Sequence, residues 1–307
     1  MIKPIFVIGS PRSGVTLLEI ILGMHPELAW ISTIQDKMPN VLSISLANRI
    51  HDVPIIGKHL YNFASQDNNK LHLMFPVEPW NFLNSAIPGF LKGADKWFDC
   101  PPKASDMTSV ESLSARKVLD RLARYHGKER FFTSFGDFPR IGYLRRAFPD
   151  ALFVHLVRDG RAVAESYYRC NETGTYQSWS ERNRWPSNMP EEWRKGFLEK
   201  NFNLFGLSVY RWMYYCHLCW EEASELTTNC YLQIAYEDIV ADPLSAVDRI
   251  LQFAELKRSS KLEWFLEKTP PINCNRKWRK SLSTDQLNQF FDIVQEERFL
   301  ALLNDNV

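Results

Sequence analysis

The tightest constraint on how this chain folds lies in its first two dozen residues. Pro4 to Gly9 is a short apolar run ending on glycine, the pattern of a parallel strand buried on both faces. Ser10-Pro-Arg-Ser-Gly14 is a turn of small residues, and Thr16 to Met24 has apolar spacing that predicts a helix, stopped by His25-Pro26. Strand, tight loop and helix make the first half of a βα unit. The order recurs downstream, where 130–134, 151–157 and 230–235 read as strands. Helices are predicted over 37–50, 112–125, 139–148, 158–170, 201–226, 243–253 and 283–303. Strands alternating with helices predict an α/β fold: a doubly wound parallel sheet with a P-loop-like anion site, helices on both faces and long inserted loops.

Length and composition are consistent with that reading. A chain of 307 residues with 45% apolar and 24% charged residues can bury a core without a metal or disulfide staple. Prolines at 39, 54, 76, 79, 88, 101 and 102 cut the stretch after the first helix into short pieces. We expect one domain over 1–307, with 30–130 and 171–200 as acceptor-site and lid insertions. The 37 Lys plus Arg against 36 Asp plus Glu leave a net charge of +1, which offers no bulk attraction for nucleic acid or an anionic membrane. Six sparse cysteines, no signal-peptide pattern and no membrane-length apolar run lead us to expect a cytoplasmic protein with reduced thiols. Oligomeric state is not legible.

Two segments carry chemistry. Gly9-Ser-Pro-Arg-Ser-Gly14-Val-Thr16 sits between strand and helix, where backbone N–H groups converge on an anion. A nucleotide-hydrolysing loop has lysine before its Ser/Thr; here that slot is Val15, and the cation is Arg12. The second segment is Arg158-Asp-Gly-Arg161 running to Ser166, again a strand passing directly into a helix. An arginine fork and a hydroxyl two helical turns on can bracket one phosphate, although such an Arg-Asp pair is also a common structural salt bridge.

PRSGVTLLEIILGMHPE resembles the 5′-phosphosulfate loop of the sulfotransferases, above all the bacterial and tyrosylprotein-type branches. RDGRAVAES resembles the 3′-phosphate motif of the same family. The resemblance implies that Arg12, Ser13, Gly14, Val15 and Thr16 hold the 5′ end of 3′-phosphoadenosine 5′-phosphosulfate (PAPS), and that Arg158 and Ser166 hold its 3′-phosphate. Ala235-Tyr236-Glu-Asp is similar to a donor-contacting segment, which implicates Tyr236, and the late Lys277-Trp278 pair is similar to another. It implies a sulfotransferase moving sulfonate from PAPS to a hydroxyl, or less readily an amine, of a small-molecule or glycan acceptor, without a metal. The rival readings are a kinase-like phosphotransferase, against which Val15 argues, and a catalytically silent nucleotide-binding protein.

The catalytic assignment is incomplete. Arg12 is placed to neutralise charge on the leaving phosphate. The general base that the tyrosylprotein branch carries eight residues after its His-Pro histidine is here Thr33, which cannot serve. Asp36 and Glu78 are the candidates; each also reads as a solvated surface carboxylate. His51, His59 and His72 are weaker alternatives, and His25 and His155 read as structural. Cys216-x-x-Cys219 lies in an aromatic helix without a second ligand pair and reads as structural. Tyr167, Tyr168, Tyr176, Trp179, Trp185 and Trp193 are expected to line an acceptor pocket, whereas Tyr210, Trp212, Tyr214 and Tyr215 read as core.

Overall fold

The computed structural model describes residues 3–53, 74–91, 102–172, 189–200, 203–226 and 229–303. Its centre is a parallel sheet of five strands in the order β2-β3-β1-β4-β5. The strands are β1 (Ile5–Gly9), β2 (Leu28–Ala29), β3 (Arg130–Gly136), β4 (Leu152–Val157) and β5 (Tyr231–Ala235). Between β1 and β3 come the helices α1 (Val15–Leu22), α2 (Thr33–Lys37), α3 (Trp80–Ala86) and α4 (Ser109–His126). Then follow α5 (Ile141–Ala147) before β4 and α6 (Gly160–Glu172), α7 (Glu191–Glu199) and α8 (Leu204–Ser224) before β5. The chain closes with α9 (Tyr236–Ala241), α10 (Pro243–Phe253), α11 (Ser260–Lys268), α12 (Trp278–Ser281), α13 (Thr284–Ile293) and α14 (Glu297–Leu300).

The apolar run of β1 is continuous because the strand is covered twice. Ile5 and Val7 belong to one core cluster with α1, α10 and α11; Phe6 and Ile8 belong to another with α3, α4 and α5. The two-residue side-chain period of a strand sends alternate residues to opposite faces, so both faces must be apolar. β4 behaves alike, with Val154 on the first face and Phe153 on the second. Helix ends obey local rules: Thr108 and Glu111 form a capping box at α4, which ends on Gly127 at φ 77°. Asn203 caps α8 through Phe205 and Gly206.

Three departures from the sequence reading have physical causes. The helix expected over 37–50 is instead α2 followed by a 3-10 segment, Leu42–Asp52, separated at Pro39, which cannot donate to the helical ladder. The closing helix over 283–303 is broken into α13 and α14. Phe290 and Phe299 are nine residues apart and would sit on opposite sides of one helix, yet both are buried in a single aromatic cluster. β2 and α9, of two and six residues, are too short to show a pattern of their own, and α11 was not predicted although Ser259 caps it and Leu262, Phe265 and Leu266 recur at helical spacing. Among the described residues, no helix is long and apolar enough to cross a membrane.

β1 is the point where the strand order reverses, with β3 on one side and β4 on the other. In open α/β sheets such a point leaves a crevice beyond the carboxyl ends of the strands. Here Gly9, Gly136, Val157 and Ala235 end their strands at that edge.

Candidate active site

The loop after β1 is a strained turn built around two glycines. A Cβ on Gly9 would lie 2.6 Å from the Leu156 carbonyl oxygen, and one on Gly14 would lie 2.7 Å from Cδ2 of Tyr236. Gly14 has φ 103°, and Arg12, which is not glycine, has φ 70°. A left-handed arginine is unfavourable alone, and Arg158 offsets this by donating through Nη1 to the Arg12 carbonyl at 2.8 Å. Arg12 projects outward, its Nε donating to Ser166 Oγ at 2.9 Å. Ser13 is fully buried and its Oγ has no hydrogen-bond partner among the described residues. At the start of α1 the Leu17 and Leu18 amides donate to the Gly14 carbonyl at 2.9 and 3.2 Å, and a helix start leaves the N–H groups before them without intrahelical acceptors.

The second motif is knitted to the first. Arg158 Nε donates to Asn275 Oδ1 at 2.7 Å, and its guanidinium stacks 4.3 Å from the Tyr236 ring centroid. Burial draws the Arg158 guanidinium below its ordinary value. Glu237, raised by burial, accepts from the Asp159 amide at 3.0 Å and from Asn275 Nδ2. The buried Arg161–Asp159 pair (2.7 Å) carries the Trp278 ring 4.3 Å from the guanidinium. Trp278 is thus a buried strut rather than part of the cavity wall, while Lys277 lines the cavity and Arg276, Arg279 and Lys280 are exposed.

These elements enclose a cavity of about 1020 Å³ at the carboxyl edge of the sheet. Arg12, Gly14, Val15, Thr16, Arg158, Ser166, Tyr236 and Lys277 all line it, so eight of the ten residues expected at the donor site meet there. Ser13 lies beneath the loop and Trp278 behind Arg161.

The two carboxylate candidates separate clearly. Glu78 lines the cavity, accepting from Thr16 Oγ1 at 2.6 Å and from the Gly136 amide at 3.0 Å. Asp36 does not line it: its oxygens accept from the Phe82 amide (2.8 Å) and Asn81 Nδ2 (2.9 Å), so it caps α3, whose own N-cap, Pro79, has no side-chain acceptor. Glu78 arrives by a non-local route. Val77 N donates to Ile31 O (3.2 Å), Thr33 N to Phe75 O (3.3 Å), and Ser32 forms a bridge with Pro76. Glu78 is therefore delivered beside the segment holding Thr33, where the family resemblance expects a glutamate.

Sequence reasoning missed Asp137. It follows β3 directly and lines the cavity, its carboxylate held by fully buried Arg140 (2.7 Å) and by the Tyr215 hydroxyl (3.4 Å). Arg140 and Tyr215 thus hold the Asp137 carboxylate in place at the cavity edge. The one available signal was its place after a strand ending on glycine. The rest of the wall is largely apolar, including Leu17, Ile20, Val77, Trp80, Leu91, Phe265 and Ile272, with Glu165, Arg169, Thr269 and Cys274 as its other polar residues.

Of the aromatic residues expected at an acceptor pocket, Tyr167 is buried in the cluster formed with α8, and Trp193 packs on Tyr210 and Phe299. Tyr176, Trp179 and Trp185 lie outside the described residues, as do His59 and His72. Tyr210, Trp212, Tyr214 and Tyr215 are core. His25 donates through Nε2 to the Lys257 carbonyl, His51 through Nε2 to that of Met74, and His155 is enclosed beside Tyr231. Burial pulls His51 down to about 4 and His155 to about 3, which suits neutral structural imidazoles. Cys216 and Cys219 are buried in α8, and burial pushes the Cys216 thiol up to about 12.

Comparison with known proteins bears on the family and the fold. A family model described as "Sulfotransferase family" matches residues 4–260. An uncharacterized protein of Aquifex aeolicus (strain VF5) is 23% identical over 279 residues, 87% of this chain and 28% of that protein. The chain thus spans well under half the length of this curated relative. Sulfotransferase STF9 from Mycobacterium avium superposes with a TM-score of 0.56 at 15% identity, covering 94% of this chain and 75% of that one. Sulfotransferase STF1 from Mycobacterium tuberculosis H37Rv gives 0.53 at 15% identity, covering 95% and 76%. Both likenesses concern the fold.

Proposed function

The chain belongs to the sulfotransferase family, and from that premise we propose that it moves the sulfonate of PAPS to a hydroxyl of a small-molecule acceptor with an apolar body. The observation that carries this reading is the meeting of Arg12, Arg158 and Ser166 with Glu78 on the wall of one cavity. The donor, when bound, supplies an activated sulfonate on a phosphate leaving group.

The residues present suit that donor. The orphaned, buried Ser13 Oγ and the two glycine contacts that exclude side chains make a cradle for an anion at the start of α1. Arg12 and the amides of that turn neutralise charge on the leaving oxygen. Arg158 and Ser166 hold the second phosphate, with Arg158 also fixing the Arg12 carbonyl. Val15 keeps its backbone N–H but gives up the hydroxyl that the family carries there, and it cannot replace the lysine a nucleotide hydrolase needs. Tyr236 and Lys277 complete the donor wall.

Glu78 is the base we assign. It faces the cavity, whereas both oxygens of Asp36 serve α3. Its two hydrogen bonds from Thr16 and Gly136 fix the carboxylate beside the anion loop, where the acceptor hydroxyl must present its proton. Apolar Val77, Trp80 and Leu91 near Glu78 in the chain line the same cavity and favour an acceptor whose body is apolar over a highly charged glycan. We read the chain as one domain acting on its own acceptor site, in the cytoplasm.

The test is direct titration with adenosine 3′,5′-bisphosphate and, separately, ATP with magnesium. Bisphosphate should bind more tightly, and Arg158→Ala and Ser166→Ala should each weaken it by about tenfold or more. Preference for ATP would refute the reading. Bisphosphate binding without turnover of PAPS on phenols, alkyl alcohols or glycans would instead favour a silent nucleotide binder.

A further inference from the structure

Glu19 is a fully buried carboxyl that the mechanism above does not use. It stands on α1, enclosed between that helix and the sheet. One oxygen is hydrogen-bonded to Ser134 Oγ at 2.7 Å; the other has no partner among the described residues. A buried carboxylate with one oxygen unpaired is unfavourable as an anion. Burial pushes Glu19 well above the usual carboxylate range, Ser134 opposes this, and the nearby acids Glu78 and Asp36 add to it.

Its relation to Glu78 is set by two shared elements. Thr16 and Glu19 are one turn apart on α1, and positions 134 and 136 are on the same face of β3. Thr16 and Gly136 hold Glu78, while Ser134 holds Glu19. The two carboxyls therefore occupy successive rungs between one helix and one strand, roughly 6–7 Å apart by the repeat of those elements. The charged groups acting on Glu19 are Glu78, from the segment before α3, and Asp36, from α2, both acids.

We propose that Glu19 is a positioning residue acting through this carboxyl pair. As the neutral acid it leaves Glu78 the single negative charge of the pair; once it releases its proton to solvent, a second charge stands beneath the anion loop and weakens binding of the polyanionic donor. The proposal rests on the reading of Glu78 as base and of the loop as the donor site. It gives the enzyme an alkaline limit set by a residue that touches neither substrate.

Calorimetric titration of wild type and Glu19→Gln with adenosine 3′,5′-bisphosphate, from neutral to alkaline pH, tests it. Glutamine keeps the Ser134 contact and cannot ionise. Wild-type affinity should fall relative to Glu19→Gln by about tenfold once Glu19 is charged, the effect of a unit charge some 10 Å away at an effective dielectric near 20. Superimposable affinity curves overturn the proposal. Carbon-13 carboxyl titration of wild type and Glu78→Gln provides a readout that does not need the Glu19 variant to fold. The resonance titrating above the carboxylate range should move down by about one unit in Glu78→Gln. Its absence in wild type, or an unchanged titration in Glu78→Gln, refutes the pair. Should Glu78→Gln retain transfer, the base assignment fails while these binding and titration results stand or fall separately.

Discussion

Glu78→Gln changes a charge and almost no shape. The wild-type carboxylate accepts from the Thr16 hydroxyl at 2.6 Å and from the Gly136 amide at 3.0 Å. A glutamine in the same rotamer accepts from Gly136 through its oxygen and donates to Thr16 Oγ1 through its amide nitrogen, so both contacts survive. Stability should move by less than about 1 kcal/mol, and bisphosphate affinity should rise by about tenfold or more, because the variant removes a negative charge beside the anion loop. Proton transfer has no such substitute. Loss of a positioned general base lowers kcat by about 10²–10⁴, or about 3–5 kcal/mol of transition-state stabilisation. Initial rates of sulfonate transfer from PAPS to a phenolic or alkyl alcohol acceptor, with calorimetry on the same preparations, read both quantities. Glu78→Ala is the contrast: it removes two hydrogen bonds to a charged acceptor and should lose about 2–4 kcal/mol of stability as well. Turnover by Glu78→Gln within about tenfold of wild type, at saturating donor, refutes the assignment.

Gly14→Ala forces a Cβ to 2.7 Å from the Tyr236 ring at φ 103°; thermal melts should show a loss of about 1–3 kcal/mol, with weakened bisphosphate binding. Asp36→Ala should cost about 0.5–2 kcal/mol as a lost helix cap, visible in denaturant titration, while turnover of the folded protein persists. Burial raises Glu222 to about 7, above its ordinary 4.5, although it accepts from the Gly142 amide at 3.1 Å. The folded state therefore holds this proton where the unfolded state has lost it. Stability from this group is present at acid pH, drains away as pH rises from about 4.5 to about 7, and stays low above that. Glu222→Gln should melt with wild type at low pH and a few degrees higher, at most about 3 kcal/mol, on the alkaline side.

The residues we propose for the donor side were legible because they are contiguous in sequence. Ser10 to Thr16 needs only the strand before it and the helix after it to aim its amides, and Arg158 to Ser166 repeats the device. Val15 in the lysine position already separated this loop from a nucleotide hydrolase. The Glu78 side of the cavity was hidden because its geometry is non-local. Glu78 meets Thr16 across 62 residues of chain, through a bridge of Ser32 with Pro76 that no local pattern announces. Asp36 and Glu78 are equivalent as letters; only packing makes one a helix cap and the other a cavity wall.

What the chain's order of residues determined is the alternation of buried strands with helices and the position of the two turns proposed to bind anions, since both follow from backbone periodicity and short-range sterics. What only the tertiary structure decided is which charges share a site. The net charge of +1 conceals Arg12, Arg158 and Lys277 on one wall, Glu78 on the same cavity, and Glu19 one rung away from it. Electrostatic coupling depends on distance and burial, and both are set when β1, β3 and α1 pack together, long after the sequence has specified each of them alone.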